Sequence, residues 1–368
     1  MKKISFCITC MNRLHHIQET LPKNIQDNYL PNEVEFVLLD YNSSDGLEEW
    51  VKTSMSEHIK SGILTYYKTL DATNYLRSHS RNVSFRLAQG HVVCNLDADN
   101  FLGKGFAIEM IKEFEQKQHI FYTSDLSSKD AYGRVCLLKT DFLAIRGYNE
   151  ALVGYGYEDD DLFIRLEKHG LKHLYYHNQD FNHAISHSKL ERINNEPIYT
   201  KLLSVYLSYI DPFTTEVLFL YNNGTCEYMT LIERGYGRMI KNPSKEAAQS
   251  QTRNRIFVKE APQKSIWEKS SNNLIVLKYG EQKIEFAGNA SSFRIDDRSF
   301  HKIEDSGLIT TIILVTSIVL NEEKSLQALV SSEIVNPAGF GKDKVYKNFN
   351  SECIVLDESK IPVGIKVR

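Results

Sequence analysis

The chain has 368 residues, 42% hydrophobic and 25% charged, which is a globular composition with length for about two domains. Its formal net charge of -3 argues against a nucleic-acid partner. The longest apolar run, 308–320, is shorter than the ~20 residues that cross a bilayer, and no secretory signal precedes it. The six cysteines include one Cys7-x-x-Cys10 pair without the second pair that a zinc site needs. We therefore expect a cytoplasmic protein with reduced, mostly buried thiols and no transmembrane segment.

Strands and helices alternate in the first half of the chain. Apolar runs typical of buried strands occupy residues 3–9, 33–40, 63–67 and 90–96. Helical patterns lie between these runs, at 14–27, 47–60 and 74–89. This β-α rhythm predicts an α/β fold with a doubly wound sheet and right-handed crossovers. Shorter elements are predicted further on, with helices at 105–118, 139–146 and 158–169 and strands at 119–122 and 133–138.

The pattern changes after about residue 211. The turn Asn222-Asn223-Gly224 predicts a hairpin between strands 216–221 and 226–232. Further strands are predicted at 273–278, 282–287 and 308–320, and the polar stretch 241–254 is predicted to be a linker or long loop. We therefore divide the chain into an α/β domain at 1–211 and a smaller β-rich domain at 212–368.

The fourth predicted strand ends in the acidic triplet Asp97-Ala98-Asp99. Ligands of open α/β sheets bind at the carboxyl ends of the strands, where these side chains lie. Two carboxylates one residue apart suit Mg²⁺ or Mn²⁺ carrying phosphate oxygens. Asp and Asn are also common in turns, so the triplet alone leaves both interpretations open.

Other polar groups are predicted at the same edge of the sheet. Asn12-Arg13 follows the first strand, Asp40 ends the second, and Arg81 lies on the helix before the triplet. Such a crevice suits a nucleoside diphosphate, with Asp97 on the ribose hydroxyls and Asp99 on the metal that neutralises the diphosphate. Taken singly, Arg81 fits a solvated helix face equally well.

A second acidic cluster, Glu158 to Asp161, follows the glycine-rich segment Gly154-Tyr155-Gly156-Tyr157. The helix dipole accounts for one or two acids in a first turn, but four adjacent acids repel one another. A carboxylate beside a mobile loop meets the needs of a general base. Downstream, His183 and His187 are spaced to share a helix face and bind one metal.

These motifs carry a resemblance to known enzymes. Residues 3–200 resemble a glycosyltransferase of the Rossmann-like GT-A fold, and their first half is similar to glycosyltransferase family 2 through Asn12-Arg13, Asp40, Ser80-Arg81-Asn82 and Asp97-Ala98-Asp99. Gly147-Tyr148-Asn149-Glu150 and the stretch 154–166 resemble the carboxyl-terminal motif of the β-1,4-galactosyltransferases and related galactosaminyltransferases. His187-Ser188-Lys189 resembles the segment that ends their metal site.

The resemblance implies a role for individual residues. Asp99 and His187 match the ligands of a Mn²⁺ or Mg²⁺ ion, and Asp159 matches the base that deprotonates the acceptor. The resemblance and the predicted crevice together imply a set of residues that contact the donor and the acceptor. These residues are Asn12, Arg13, Asp40, Arg81, Asp97, Tyr155, Gly156, Glu158 and Asp160.

Three positions depart from the families' pattern. Tyr41 stands where family 2 commonly has a second Asp, which puts the nucleoside contact in doubt. Ala184 replaces a metal-binding Met, so water or His183 would fill that position of the metal. Tyr157 replaces the second glycine of a Gly-Gly pair, so we expect a different acceptor pocket.

The expected activity is metal-dependent, inverting transfer of a hexose or N-acetylhexosamine, Gal or GalNAc, from a UDP-sugar to a saccharide hydroxyl in glycan or polysaccharide synthesis. The alternatives are a retaining GalNAc-type transferase and a non-catalytic saccharide-binding protein. The resemblance does not cover 212–368, which leaves open homo-oligomerisation or peripheral membrane association through that region.

Overall fold

The computed structural model describes residues 2–124, 131–176, 178–233, 256–259 and 262–357. One compact unit comprises Met1–Ser188 with Lys324–Arg368, and the other comprises Lys189–Glu323. This division differs from the predicted boundary at 211/212, because the chain leaves the first unit earlier and later returns to it. The stretch 241–254, predicted to be a linker or long loop, lies outside the described residues.

Strands outnumber helices in the described part of the chain. The strands are β1 (Ile4–Cys10), β2 (Val34–Tyr41), β3 (Leu64–Thr69), β4 (Val92–Asn95), β5 (Asn100–Phe101), β6 (Ile120–Thr123), β7 (Cys136–Leu138), β8 (Lys172–Tyr175), β9 (His183–Ala184), β10 (Leu202–Asp211), β11 (Thr214–Tyr221), β12 (Thr225–Glu233), β13 (Ile256–Val258), β14 (Gln263–Lys269), β15 (Leu274–Tyr279), β16 (Gln282–Ala287), β17 (Ser292–Ile295), β18 (Arg298–Ile303), β19 (Asp343–Lys347) and β20 (Cys353–Leu356). The helices are α1 (Leu14–Asp27), α2 (Leu47–Ser54), α3 (Ser56–Lys60), α4 (Arg77–Leu87), α5 (Phe106–Gln116), α6 (Lys139–Ala144), α7 (Glu158–Lys168), α8 (Lys189–Ile193), α9 (Pro197–Lys201) and α10 (Ser306–Ser331).

The first unit is built on a nine-stranded sheet with the order β20-β19-β3-β2-β1-β4-β7-β6-β8. The pairs β3-β2, β2-β1 and β1-β4 are parallel, whereas β7 runs antiparallel between β4 and β6. The α/β prediction is confirmed, with the parallel strands β3, β2, β1 and β4 at the centre of a mixed sheet. The register sets Cys10 beside Asp40 and Cys7 beside Asn95. The loops after β1, β2 and β4 therefore leave the sheet at one edge.

Both faces of this sheet are covered by helices. Phe6 and Cys7 are neighbours in β1 but belong to two different apolar clusters, because successive side chains of a strand point to opposite faces. Phe6 clusters with Phe106 of α5, and Cys7 with Phe85 of α4. Burial on two faces explains why β1 and β2 are nearly continuous apolar runs in the sequence. All six cysteines are free thiols, and five are buried.

The predicted strand at 308–320 is wrong, because these residues lie within α10. The run is rich in β-branched residues, which favour strands in a sequence pattern. In the helix, hydroxyls of Thr310 and Thr316 donate to carbonyls four residues earlier, at 2.7 Å each, and so satisfy themselves locally. Among the described residues, α10 is the one helix long and apolar enough to cross a membrane, a test that core helices also pass. The absence of a transmembrane segment stays a prediction.

The second unit contains a nine-stranded sheet of antiparallel pairs, with the order β16-β15-β14-β12-β11-β10-β18-β17 and β13 against β12. The predicted hairpin is present, since β11 pairs with β12 across a turn in which Gly224 has φ 79°. The prediction of a β-rich region is therefore confirmed. Strand β10 belongs to this sheet, which places it in the second unit and moves the boundary toward the amino terminus.

The chain after Lys324 completes the first unit. Strand β19 pairs antiparallel with β3 and carries β20 beyond it. Asn336 donates to the carbonyls of Arg146 (2.8 Å) and Tyr148 (2.7 Å) and accepts from the amide of Glu150 (3.0 Å). The Glu150 carboxylate in turn accepts from the amide of Gly341 at 2.7 Å. The returning chain thus fixes the loop 147–150 that precedes the second acidic cluster.

We expect Asn336→Ala to lower the free energy of unfolding by about 2 kcal/mol more than Asn32→Ala, since three hydrogen bonds are lost. Asn32 is a matched control because its φ of 65° is positive, like the 51° of Asn336. Unlike Asn336, it is exposed, and its side chain hydrogen-bonds no described residue. Urea denaturation followed by circular dichroism measures both. Equal losses in the two variants would show that the returning chain does not brace the loop.

Candidate functional site

Asn12 and Asp40 shape the turns that follow β1 and β2. Asn12 has φ 57°, and its side-chain oxygen accepts from the amide of Ser44 at 2.8 Å. Asp40 is fully buried, and its two oxygens accept from the Ser43 amide (2.7 Å) and the Tyr66 hydroxyl (2.6 Å). Burial raises the pKa of Asp40, although these hydrogen bonds oppose the change. The structure therefore places Asp40 beneath the turn, and the expected contact with a base or ribose is not available to it there.

Arg13 is the residue from which α1 begins, at the same edge of the sheet. Tyr41, at the position where family 2 commonly has a second Asp, is also buried. Its hydroxyl lies 2.7 Å from Nδ1 of His79 on α4. At this edge, Tyr41 thus joins β2 to α4 instead of presenting a carboxylate.

Asp99 and His187 form a close pair. The antiparallel pairing of β5 with β9 sets Asn100 opposite Ala184 and brings the following chain back to the triplet. As a result, Nε2 of His187 lies 2.8 Å from Oδ2 of Asp99, while Asn100 donates to Oδ1 at 2.9 Å. Burial disfavours a charged Asp99, but the hydrogen bonds from His187 and Asn100 outweigh it, and its pKa is lowered. The hydrogen bond to Asp99 raises the pKa of His187.

This donor set fits a divalent cation. An ionised carboxylate and an imidazole side by side are ligands that Mn²⁺ accepts, once the imidazole has lost its extra proton. The predicted partner His183 does not join them. It lies in β9, exposed and opposite Phe101, and residues 183–187 do not form the helical turn that would bring two side chains four positions apart together. The shared helix face was therefore a wrong prediction.

Arg81 lies at the centre of the carboxylates. It is 3% exposed, so the solvated helix face is excluded. Its Nη1 contacts Oδ1 of Asp159 (2.9 Å) and Oε1 of Glu158 (3.3 Å), and its Nη2 contacts Oδ1 of Asp97 (3.1 Å). Asn95 also donates to the same oxygen of Asp97 at 3.1 Å. One guanidinium therefore joins the first acidic motif to the second.

Asp159 has the electrostatic setting of a general base. Its side chain is 14% exposed, and burial raises its pKa to about 7. Arg81 opposes this rise, whereas the negative charges of Glu158, Asp97 and Asp160 add to it. A carboxylate with a pKa near neutrality can both accept a proton and be ionised at working pH.

The glycine-rich segment is held against α4. The Tyr155 ring centre lies 5.0 Å from Cζ of Arg77, whose Nε is 3.6 Å from Oε1 of Glu158. Gly156 and Tyr157 both have positive φ, 93° and 70°. Tyr157 thus has, at the start of α7, a backbone conformation that favours glycine. It stands where the resembling families have the second glycine of a Gly-Gly pair. The predicted site residue Asp160 accepts from the Tyr132 hydroxyl at 2.7 Å.

Two residues of the site were not predicted. Asn82 follows Arg81 and donates to the Tyr148 carbonyl (2.9 Å) and the Glu150 carboxylate (2.8 Å). The triplet Ser80-Arg81-Asn82 was the signal for it. Gly133 lies under Asp159, so that a Cβ there would be 2.9 Å from Oδ2 of Asp159 and 3.2 Å from Nη2 of Arg81. Nothing local in the sequence marks that close approach.

Two protein-family models match adjoining parts of the chain. Residues 4–121 match the family described as glycosyltransferase like family 2. Residues 122–193 match the family described as the N-terminal domain of galactosyltransferase. The two matches adjoin and together contain both acidic motifs and His187. No curated protein sequence matches the chain.

Solved structures of other proteins resemble part of the chain. The mannosyltransferase PcManGT from Pyrobaculum calidifontis, in complex with GDP-Man and Mn²⁺, is 15% identical over 47% of this chain and 54% of its own, with a TM-score of 0.40. S. aureus TarS 1-349 is 13% identical over 52% and 61%, with a TM-score of 0.42. The chain thus spans less than two thirds of both. The catalytic domain of Drosophila beta1,4galactosyltransferase 7, in complex with xylobiose, is 13% identical over 54% and 75%, with a TM-score of 0.37.

Proposed function

We propose that this chain, whose residues 4–193 carry a glycosyltransferase domain of the GT-A fold, is a metal-dependent inverting transferase that moves a hexose or N-acetylhexosamine from a UDP-sugar to a saccharide hydroxyl. One observation carries the proposal. Arg81 contacts both Asp159 and Asp97, and Asp97 lies two residues before Asp99, so a proton acceptor and a pair of metal ligands share one edge of the sheet.

In this reaction, Asp159 accepts the proton of the acceptor hydroxyl while the oxygen attacks the anomeric carbon from the face opposite the nucleotide. The attack inverts the configuration at that carbon. Asp99 and His187 would hold Mn²⁺ or Mg²⁺, and the ion would supply charge stabilisation for the departing diphosphate. Asp97, which is 34% exposed, would contact the ribose, and Asn12 and Arg13 follow β1 at the same edge of the sheet.

The second family match supports the choice of donor. Because residues 122–193 match a galactosyltransferase model, we propose Gal or GalNAc as the transferred sugar and glycan or polysaccharide synthesis as the setting. The reaction is assigned to the cytoplasm, and the free, mostly buried cysteines support a reducing compartment.

A thermal-shift screen of the whole chain tests the proposal. UDP-galactose, UDP-N-acetylgalactosamine, UDP-glucose, UDP-N-acetylglucosamine and GDP-mannose are each added with and without Mn²⁺. We expect a UDP-sugar with Mn²⁺ to raise Tm more than GDP-mannose does, because a ligand of the native state stabilises it. The anomeric configuration of the transferred sugar is then read by NMR.

Each contrary outcome identifies an alternative. Retained anomeric configuration would replace the inverting mechanism with a retaining one. Saccharide binding with neither donor binding nor turnover would indicate a non-catalytic saccharide-binding protein. A preference for GDP-mannose would overturn the choice of a UDP donor.

A further inference from the structure

The buried guanidinium of Arg81 is shared among three carboxylates that come from two parts of the chain. Asp97 follows β4, whereas Glu158 and Asp159 begin α7. The planar fork of arginine can donate in several fixed directions at once, which the single ammonium of lysine cannot reproduce. The position therefore calls for arginine by geometry as well as by charge.

Helix α4 holds Arg81 rigidly. Asn82, the next residue, is buried and hydrogen-bonds the backbone of Tyr148 as donor (2.9 Å) and as acceptor (2.8 Å). The guanidinium itself lies 5.3 Å from the centre of the Tyr148 ring. Arg81 is thus anchored both by its helix and by the loop before α7, so it has little freedom to follow a carboxylate that moves.

Gly133 closes the other side of the pair. A Cβ atom at this position would lie 2.9 Å from Oδ2 of Asp159, which is closer than Cβ atoms normally come to other heavy atoms. Arg81 binds the opposite oxygen, Oδ1, at 2.9 Å. The carboxylate is therefore held from both sides, with one oxygen on the guanidinium and the other over the glycine.

We propose that Arg81 is a positioning residue of the transfer reaction, which holds the carboxylate of Asp159 toward the acceptor hydroxyl and ties it to Asp97 on the donor side. This proposal rests on the proposed transferase function. Arg81 acts through Asp159 and touches neither substrate nor metal in this scheme.

The charges around Asp159 give the expected direction of a pH effect. The pKa of Asp159 is raised to about 7, mainly by burial; Glu158 and Asp160 from α7 and Asp97 from the end of β4 contribute to this rise, while Arg81 opposes it. Without the guanidinium, three acids and burial act unopposed, so the pKa of Asp159 rises. The acid limb of the pH–kcat profile then moves to higher pH.

The test compares Arg81→Lys, Arg81→Gln and Gly133→Ala with the wild-type chain and with Arg294→Gln, an exposed arginine of β17. At pH 7 we expect Arg81→Gln to lower kcat about 100-fold, since misplacement of a catalytic group by about 1 Å has effects of that size. Its KM for the donor changes far less than its kcat. We expect Arg81→Lys to have a higher kcat than Arg81→Gln and an acid limb closer to that of wild type. Lysine keeps the positive charge but lacks the planar guanidinium that contacts three carboxylates at once.

Gly133→Ala displaces Asp159 while every ionisable group remains. Its φ lies outside the left-handed region, so the backbone accepts alanine, and we expect a lower kcat with little movement of the acid limb. Should Arg81→Gln lose its folded melting transition, Arg81→Lys and Gly133→Ala decide the matter. Wild-type kcat together with a wild-type acid limb in both of these variants would overturn the positioning role.

Failure of this inference differs from failure of the proposed function. If no donor supports transfer by the wild-type chain, or if Asp159→Asn retains transfer, the function is wrong and the role of Arg81 falls with it. If wild type transfers, Asp159→Asn does not, and the Arg81 and Gly133 variants match wild type, only the positioning role is wrong.

Discussion

Replacement of Asp159 by asparagine is expected to lower kcat by about 10³-fold, within the range for loss of a general base. The amide keeps the shape of the side chain but cannot accept the acceptor's proton. It also still accepts a hydrogen bond from Arg81, which lies 2.9 Å from Oδ1, so the fold and the KM for the donor should change little. Transfer to a saccharide acceptor at saturating donor measures the loss.

Glu167→Gln is the matched control for this variant. It makes the same carboxylate-to-amide change on α7, toward the other end of the helix, where the side chain is 53% exposed. We expect it to retain wild-type kcat. Near wild-type transfer by Asp159→Asn would remove Asp159 as the base.

The pH profile gives a second readout on the same residue. Because burial raises the pKa of Asp159 to about 7, the carboxyl group is protonated at lower pH and cannot act as a base. The kcat of wild type should therefore fall about tenfold for each pH unit below that value. An acid limb near pH 4, the range of an ordinary aspartate, would contradict this assignment.

Replacement of Asp99 by asparagine is expected to abolish Mn²⁺ binding and to lower kcat by at least about 100-fold, since the metal's stabilisation of the leaving diphosphate amounts to several kcal/mol. The amide lacks the negative charge that a hard cation requires and leaves His187 without its acidic partner, which lies 2.8 Å away. Isothermal titration with Mn²⁺ alone reads binding directly, without dependence on activity.

Removal of the metal from the wild-type chain should have the same effect. Dialysis against EDTA is expected to abolish transfer, and added Mn²⁺ to restore it in wild type but not in Asp99→Asn. Asp71→Asn serves as the control, because Asp71 is exposed and lies outside both acidic motifs. Unchanged Mn²⁺ affinity in Asp99→Asn would place the metal elsewhere or exclude it.

Local patterns in the sequence predicted much of the first unit. Helix α1 has the predicted bounds 14–27, and β1 and β2 begin and end within one residue of prediction. The bounds of these elements follow from the spacing of apolar residues over about a dozen positions, and that spacing can be read from a single sequence. The predicted helix 47–60 is interrupted at Met55, whose φ of -112° separates α2 from α3.

The remaining features depend on contacts between distant residues. Arg81 was compatible with a solvated helix face until Glu158 and Asp159, 77 and 78 residues later, were found against it. Likewise, a strand at 343–347 joins the sheet only through pairing with β3. Asp40 was expected to contact a base or ribose because it ends a strand at the crevice, but its carboxylate is buried and accepts a hydrogen bond from Tyr66 of the neighbouring strand. No local spacing contains this information.

The return of the chain to its first unit has a consequence for biosynthesis. Strand β3 is translated early, but its partner β19 emerges only after the whole of Lys189–Glu323 has been made. During that interval, the nascent sheet has an open edge at β3, which is the kind of edge that pairs with other chains. Since translation proceeds at about 5–20 residues per second, the edge stays unpaired for seconds or longer. The inserted unit therefore delays completion of the first sheet until β19 and β20 have been synthesised.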